Sequence, residues 1–201
     1  MITRYIISFF VCFAVLTACI EVQDRTELAQ KPYFDLPAFA QKQIDLLDSL
    51  STNVANKPVV TKKVIIGENI EEVELSGNDV DYPVWEKELQ LFKEADINKP
   101  VLLNSYEAME KDDVKIYKAL EVELNIQELK VTYEGDKVKE IYLKLNEENY
   151  LYTSYKDLVM KVENGLINEI DIKGYRKLVG NDSLKYQVNT HLSFPGIVGL
   201  L

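Results

Sequence analysis

Thiols are nearly missing from this chain. It carries 2 Cys in 201 residues, Cys12 and Cys19, and none in the long stretch that follows. Beyond residue 19 there is therefore no disulfide, no thiolate nucleophile and no cysteine-ligated metal. Imidazole is as scarce. His191 is the single histidine, and a catalytic base needs a nucleophile and an orienting acid beside it. No G-x-S-x-G segment supplies the nucleophile, so His191 reads as a solvent-facing strand residue. Positive charge is short as well: 23 Lys and Arg stand against 33 Asp and Glu, a formal charge of −10. An acidic protein repels phosphate backbones, which excludes nucleic acid as a partner, and the same charge keeps the body off an anionic bilayer. The apolar run at the start begins at Tyr5 and is cut by Glu21. That is short of the roughly 20 residues a helical span requires.

What is present at the start is an address. Met1 to Arg4 carries one positive charge, an apolar core follows from Tyr5 to Leu16, and small residues close it. This is the pattern of a secretory signal peptide, residues 1–18. Leu16-Thr17-Ala18-Cys19 resembles the lipobox of bacterial lipoproteins, in which a Leu and two small residues precede an obligatory Cys. The resemblance implies cleavage before Cys19, a diacylglyceryl thioether on its sulfur and an acylated amino group. Cys19 is then the lipidation site and the link to the membrane, while Cys12 is lost with the signal. Each buried methylene contributes about 0.8 kcal/mol, so two or three chains hold firmly where one does not. Ile20 stands where an Asp would resemble an inner-membrane retention signal. The resemblance thus implies a lipid-anchored protein of the cell envelope, on the outer membrane and facing the periplasm.

Residues 19–34 read as the lipidated Cys and a polar tether, and residues 35–201 as a single domain. Asp35-Leu36-Pro37 is a helix start, with Asp35 as N-cap and Pro37 in the first turn. Leu36, Ala40, Ile44, Leu47 and Leu50 recur at helical spacing up to Ser51. A hairpin follows, Val59–Ile66 and Ile70–Leu75, turning at Gly67-Glu68-Asn69. Asp81-Tyr82-Pro83 opens a second helix with Trp85, Leu89 and Phe92 on one face, and Pro100 forbids its continuation beyond Ile97. Asn78, Asp79 and Asp81 lie close together, but a calcium loop also needs a Gly at the sixth place and a distal Glu. Asp81 is explained by its helix cap. Residues 101–113 are ambiguous.

From Val114 onward the pattern alternates. "LEVELN", "LKVTYEGDKVKEIYLKLN", "LVMKVENGLINEIDIKGY" and "LKYQVNTHLSF" are strand-like segments broken by turn residues. One parity carries Leu120, Val122 and Leu124, then Leu129 and Val131, Ile141 and Leu143, Leu158 and Met160, Ile170 and Ile172, Leu184 and Val188. The other parity is mostly charged or amide. The expected fold is α+β: a curved antiparallel β-meander, dry on one face, packed on two amphipathic helices in a half-barrel-like arrangement.

That architecture resembles the half-open barrels of envelope lipoprotein carriers and acceptors, whose concave side holds acyl chains. The segment "WEKELQLFKEADINKP" resembles small uncharacterised lipoproteins of Gram-negative bacteria, a family that brings no known activity. The leading expectation is a non-enzymatic lipoprotein that binds an apolar ligand or acyl chain in the concave face, with Trp85, Leu89 and Phe92 as ligand contacts. The alternative is an interaction or structural lipoprotein that docks an envelope protein through its polar sheet face. The chain has 12 Tyr, and Tyr142 and Tyr175 fall on that polar parity, so they mark the candidate partner surface. No catalytic residues, metal site or cofactor are expected.

Overall fold

The computed structural model describes residues 31–52 and 57–194. The signal segment, Cys12, Cys19 and the tether through residue 30 lie outside the described residues. Helix α1 spans Leu36–Ser51, and the Asp35 side chain accepts from the Ala38 N–H at its start. Strands β1 (Val59–Ile66) and β2 (Asn69–Ser76) make the expected hairpin. Helix α2 spans Tyr82–Glu94, and Asp81 caps it by accepting from the Val84 N–H. The meander comprises β3 (Tyr106–Lys111), β4 (Val114–Ala119), β5 (Ile126–Glu134), β6 (Lys137–Glu148), β7 (Tyr152–Glu163), β8 (Leu166–Leu178) and β9 (Leu184–Ser193).

The strands pair antiparallel in one open sheet ordered β2-β1-β9-β8-β7-β6-β5-β4-β3. Strands β3 to β9 are neighbours in sequence order. The β1–β2 hairpin joins the far side because β1 pairs with β9, from Val59 opposite Ser193 to Ile66 opposite Tyr186. Positive φ at Asn164 and Gly165 forms the tight β7–β8 turn, as an Asn-Gly pair favours. The fold is α+β, weighted towards β.

Alternate strand positions build the core. Leu129, Val131, Ile141, Leu143, Leu158, Met160 and Ile170 are buried on one face of the sheet, as period-two alternation requires. They form one cluster with Leu36, Ile44 and Leu47 of α1 and Trp85, Leu89 and Phe92 of α2. Polar clamps fix the helices on this face. Gln43, buried in the apolar stripe of α1, donates from Nε2 to the Gly165 carbonyl at 3.0 Å and accepts from the Ile167 N–H at 3.1 Å. On α2, Glu88 accepts from Lys62 Nζ of β1 at 2.6 Å and from Thr190 Oγ1 of β9 at 3.1 Å.

The structure departs from the sequence reading in several places. "LEVELN" is not a strand. β5 pairs with β4 from Val114 opposite Thr132 to Lys118 opposite Glu128, so residues 120–125 become the connection and Leu120 and Val122 point to solvent. Residues 101–113 hold a short 3-10 turn, Pro100–Leu102, and then the edge strand β3. Leu184, expected on the dry parity, is exposed at the start of β9. Tyr33 and Phe34, counted with the tether, pack against the core. The Tyr33 ring meets Tyr106 and Tyr117 edge-on, with centroids 5.8 and 5.6 Å away.

Candidate functional site

The face opposite the helices carries a groove with an accessible volume of about 500 Å³. It crosses β7, β8, β9 and β1. Tyr155 and Tyr175 stand directly opposite each other on β7 and β8, with ring centroids 6.0 Å apart and planes tilted by 31°. Asp157, Lys173, Lys185, Gln187 and Ile65 complete much of the lining. Alternation puts these side chains on one face, because Leu158 of β7 and Ile172 of β8 take the other. Tyr and long-stemmed Lys side chains present an apolar body and a wet tip. A groove of this composition suits an amphipathic surface, not a charge-rich or wholly apolar ligand.

Tyr142 lies on the same face but is not part of the groove lining. Its hydroxyl donates to Asp157 Oδ1 at 2.5 Å, and Lys130 Nζ lies 5.5 Å from its ring centroid. Burial, and then the bond to the Asp157 carboxylate, hold the phenol well above its ordinary range. Tyr142 therefore positions Asp157, which lines the groove. Of the two tyrosines expected to mark a partner surface, the structure puts Tyr175 in the groove and Tyr142 one hydrogen bond behind it.

A residue that the sequence reading did not single out lies beneath the groove. Gly174, between Lys173 and Tyr175, faces its partner Tyr186 on the side of Ile172 and Val188 and allows the Tyr186 ring to lie across it there. A Cβ at residue 174 would stand 2.0 Å from Tyr186 Cζ. A lone Gly within an alternating strand run is the signal that could have found it, since it marks close approach of another group. Burial raises the Tyr186 phenol as well, opposed by the nearby Arg176.

Nothing known matches. No family model, curated protein or solved structure matches the chain.

Trp85, Leu89 and Phe92, expected as ligand contacts, are fully buried in the core cluster. The Trp85 indole N–H donates to Ser51 Oγ at 3.0 Å, tying α2 to the end of α1. They line neither the polar-face groove nor a second, smaller cleft. That cleft, about 320 Å³, lies where α2 ends. Leu91, Ala95, Leu102, Leu124, Ile126 and Leu145 give it apolar walls, while Glu94, Asp96, Lys99, Glu147 and Lys156 give it charge. Tyr106 also lines it, donating its hydroxyl to the Ile126 carbonyl at 3.0 Å. Its phenol is pushed up to about 12 by burial and then by Tyr33.

Among the described residues no group of three or more His, Cys, Asp and Glu could hold a metal ion. His191 is exposed on β9. No helix among the described residues is long and apolar enough to cross a membrane.

Proposed function

We propose that this chain is a non-enzymatic, lipid-anchored protein of the cell envelope that docks a protein partner through the tyrosine groove on its polar sheet face. The observation that carries the reading is the pairing of Tyr155 with Tyr175 inside a groove of about 500 Å³, on the face the helices leave uncovered. Paired aromatic rings with wet hydroxyls are the side chains that dominate binding surfaces. The anchor is the acylated Cys19, and the outer membrane facing the periplasm is the proposed location. Half-barrel curvature of the sheet belongs to the same proposal. The test places a photo-crosslinking residue at Tyr175 of the full-length protein in its cell, with Glu107 on the edge strand as the control position. A single adduct of defined mass is expected from residue 175 and not from 107, and Tyr155→Ala should remove it. Equal adducts from both positions, or none from either, would overturn the reading.

A second reading keeps the apolar ligand but moves it to the cleft at the end of α2. Its support is the run of aliphatic walls from Leu91 to Leu145 beside a charged mouth, which matches an acyl chain with a polar head. Mass spectrometry of an organic extract of the purified protein distinguishes the two. A stoichiometric lipid in the extract, reduced by Leu124→Asp, would favour the cleft over the groove.

A further inference from the structure

In an antiparallel sheet the connections alternate between two ends, and here the ends differ in kind. One carries the turns Asp112-Asp113, Gly135-Asp136 and Asn164-Gly165, none of which bears a large exposed apolar side chain. The other carries the segment before β3 and the β4–β5, β6–β7, β8–β9 and β1–β2 connections. Backbone hydrogen bonds join these into a continuous row: Leu120 N–H to the Ser105 carbonyl at 3.0 Å, Asn146 N–H to Asn125 at 2.8 Å, Val179 N–H to Leu151 at 2.9 Å and Gly67 N–H to Lys185 at 3.4 Å. Its tips are apolar. Val101 is 82% exposed, Val122 74%, Tyr150 87% and Val179 72%, with Leu120 and Leu151 beside them. Among the described residues, all the large apolar side chains standing exposed but Leu46, Val73, Met109 and Tyr155 lie at this end. A concentration of this kind on one side of a molecule marks a contact surface.

The course of the chain indicates what it contacts. Tyr33 is fixed at this same end: its hydroxyl accepts from the Asn104 N–H at 3.2 Å and donates to the Tyr106 carbonyl at 3.3 Å. The Tyr33 N–H donates to Asn98 Oδ1 at 3.1 Å. The chain running back towards Cys19 therefore leaves the domain beside the apolar tips. Residues 19–31 can span at most about 40 Å, so a lipid on Cys19 would keep this end within that reach of the bilayer. Charge narrows the surface further. Glu121, Glu123, Glu147, Glu148 and Asp182 stand among the tips with Lys99, Lys177 and Lys185 beside them, a mixed charge that matches zwitterionic headgroups, while the net charge of −10 repels anionic ones.

We infer that the row of apolar loop tips, Val101, Leu120, Val122, Tyr150, Leu151 and Val179, dips into the headgroup layer of a zwitterionic membrane and holds the domain upright on it. The inference rests on the lipid-anchor reading. Tyr is the residue suited to the edge of such a layer, and aliphatic tips gain by leaving water.

The test uses the full-length, acylated protein reconstituted in phosphatidylcholine vesicles. An environment-sensitive dye is attached at Val122→Cys, at Tyr150→Cys and, at the polar end, at Asp136→Cys. Flotation with the vesicles reads the anchor; dye emission reads the end. The expected result is flotation of all three, with blue-shifted emission quenched by headgroup-level spin-labelled lipid at 122 and 150 but not at 136. Flotation with all three dyes equally aqueous would overturn the docking while leaving the anchor intact. Protein that fails to float removes the anchor and, with it, the docking argued from the tether. A blue shift that needs no vesicles and grows with protein concentration would assign the tips to a second copy of the chain instead.

Discussion

At the scale of single residues, the polar groups of the core define the fold more sharply than the apolar ones. Gln43 satisfies one backbone acceptor and one backbone donor of the β7–β8 turn with a single amide. Gln43→Ala leaves the Gly165 carbonyl and the Ile167 N–H without that partner, and each unsatisfied group costs about 1–3 kcal/mol. Urea unfolding should show a loss of about 2–4 kcal/mol; a loss within error of zero would mean that water replaces the amide. The tyrosines give a pH dependence. Tyr106, Tyr117, Tyr133, Tyr142 and Tyr186 are all held above the usual phenol value, chiefly by burial. The folded state thus keeps protons that the unfolded chain releases, and this contribution is fully present below about pH 10. It is lost as pH climbs towards the folded value, which for Tyr106 is about 12. Unfolding midpoints followed from pH 9 to 12 should fall over this window, and Tyr106→Phe should fall less steeply. An identical slope in the variant would remove Tyr106 from the account.

At the scale of elements, sidedness is the property to test. Ile170 of β8 is buried, so Ile170→Asp sets a carboxylate among aliphatic groups and should cost several kcal/mol or unfold the domain. Its neighbour Asp171 accepts from Gln187 Nε2 at 2.9 Å on the other face. Asp171→Asn keeps an oxygen acceptor there and should change stability by about 0.5 kcal/mol or less. Equal thermal shifts would deny that the sheet has a covered face. Both helices, the first hairpin and the middle of the meander were legible because capping and periodicity act locally: Asp35 and Asp81 cap where expected, and Ile141, Leu158 and Ile170 keep parity. Where reading failed, the deciding partner was distant in sequence. Residues 120–125 alternate like a strand, yet the register between β4 and β5 ends at Lys118 opposite Glu128 and leaves them outside the ladder. Gln43 and Glu88 look like ordinary polar helix residues until the turn and strand they grip are known. The groove was half visible: parity put Tyr175 on the polar face, but its partner Tyr155 is fixed only by β7–β8 pairing.

At the scale of the whole molecule, one side chain grips the backbone of the segment entering the domain, while β3 and β4 hold its Tyr33 ring. Asn98, nearly buried, accepts from the Tyr33 N–H and donates to the carbonyls of Tyr33 and Phe34 at 3.3 Å each. Asn98→Ala should release residues 31–34 without unfolding the sheet. Hydrogen exchange at the Tyr33 amide should then accelerate at least tenfold, with little change in the β6 and β7 amides. Acceleration throughout would show instead that this segment is inseparable from global stability.

The pairing of β1 with β9 bears on the order of assembly. Of the strands described, β9 is the last in the chain, yet it lies inside the sheet, between β8 and β1. Contacts that join such distant segments are the slowest to form, because a long loop must close before they gain anything. Strands β1 and β2 can zip early as a hairpin, but they have no place in the sheet until residues 184–193 arrive. A chain interrupted before Leu184 would not lose a strand from the margin. It would be parted into a hairpin and a meander, each with a bare edge open to a neighbour.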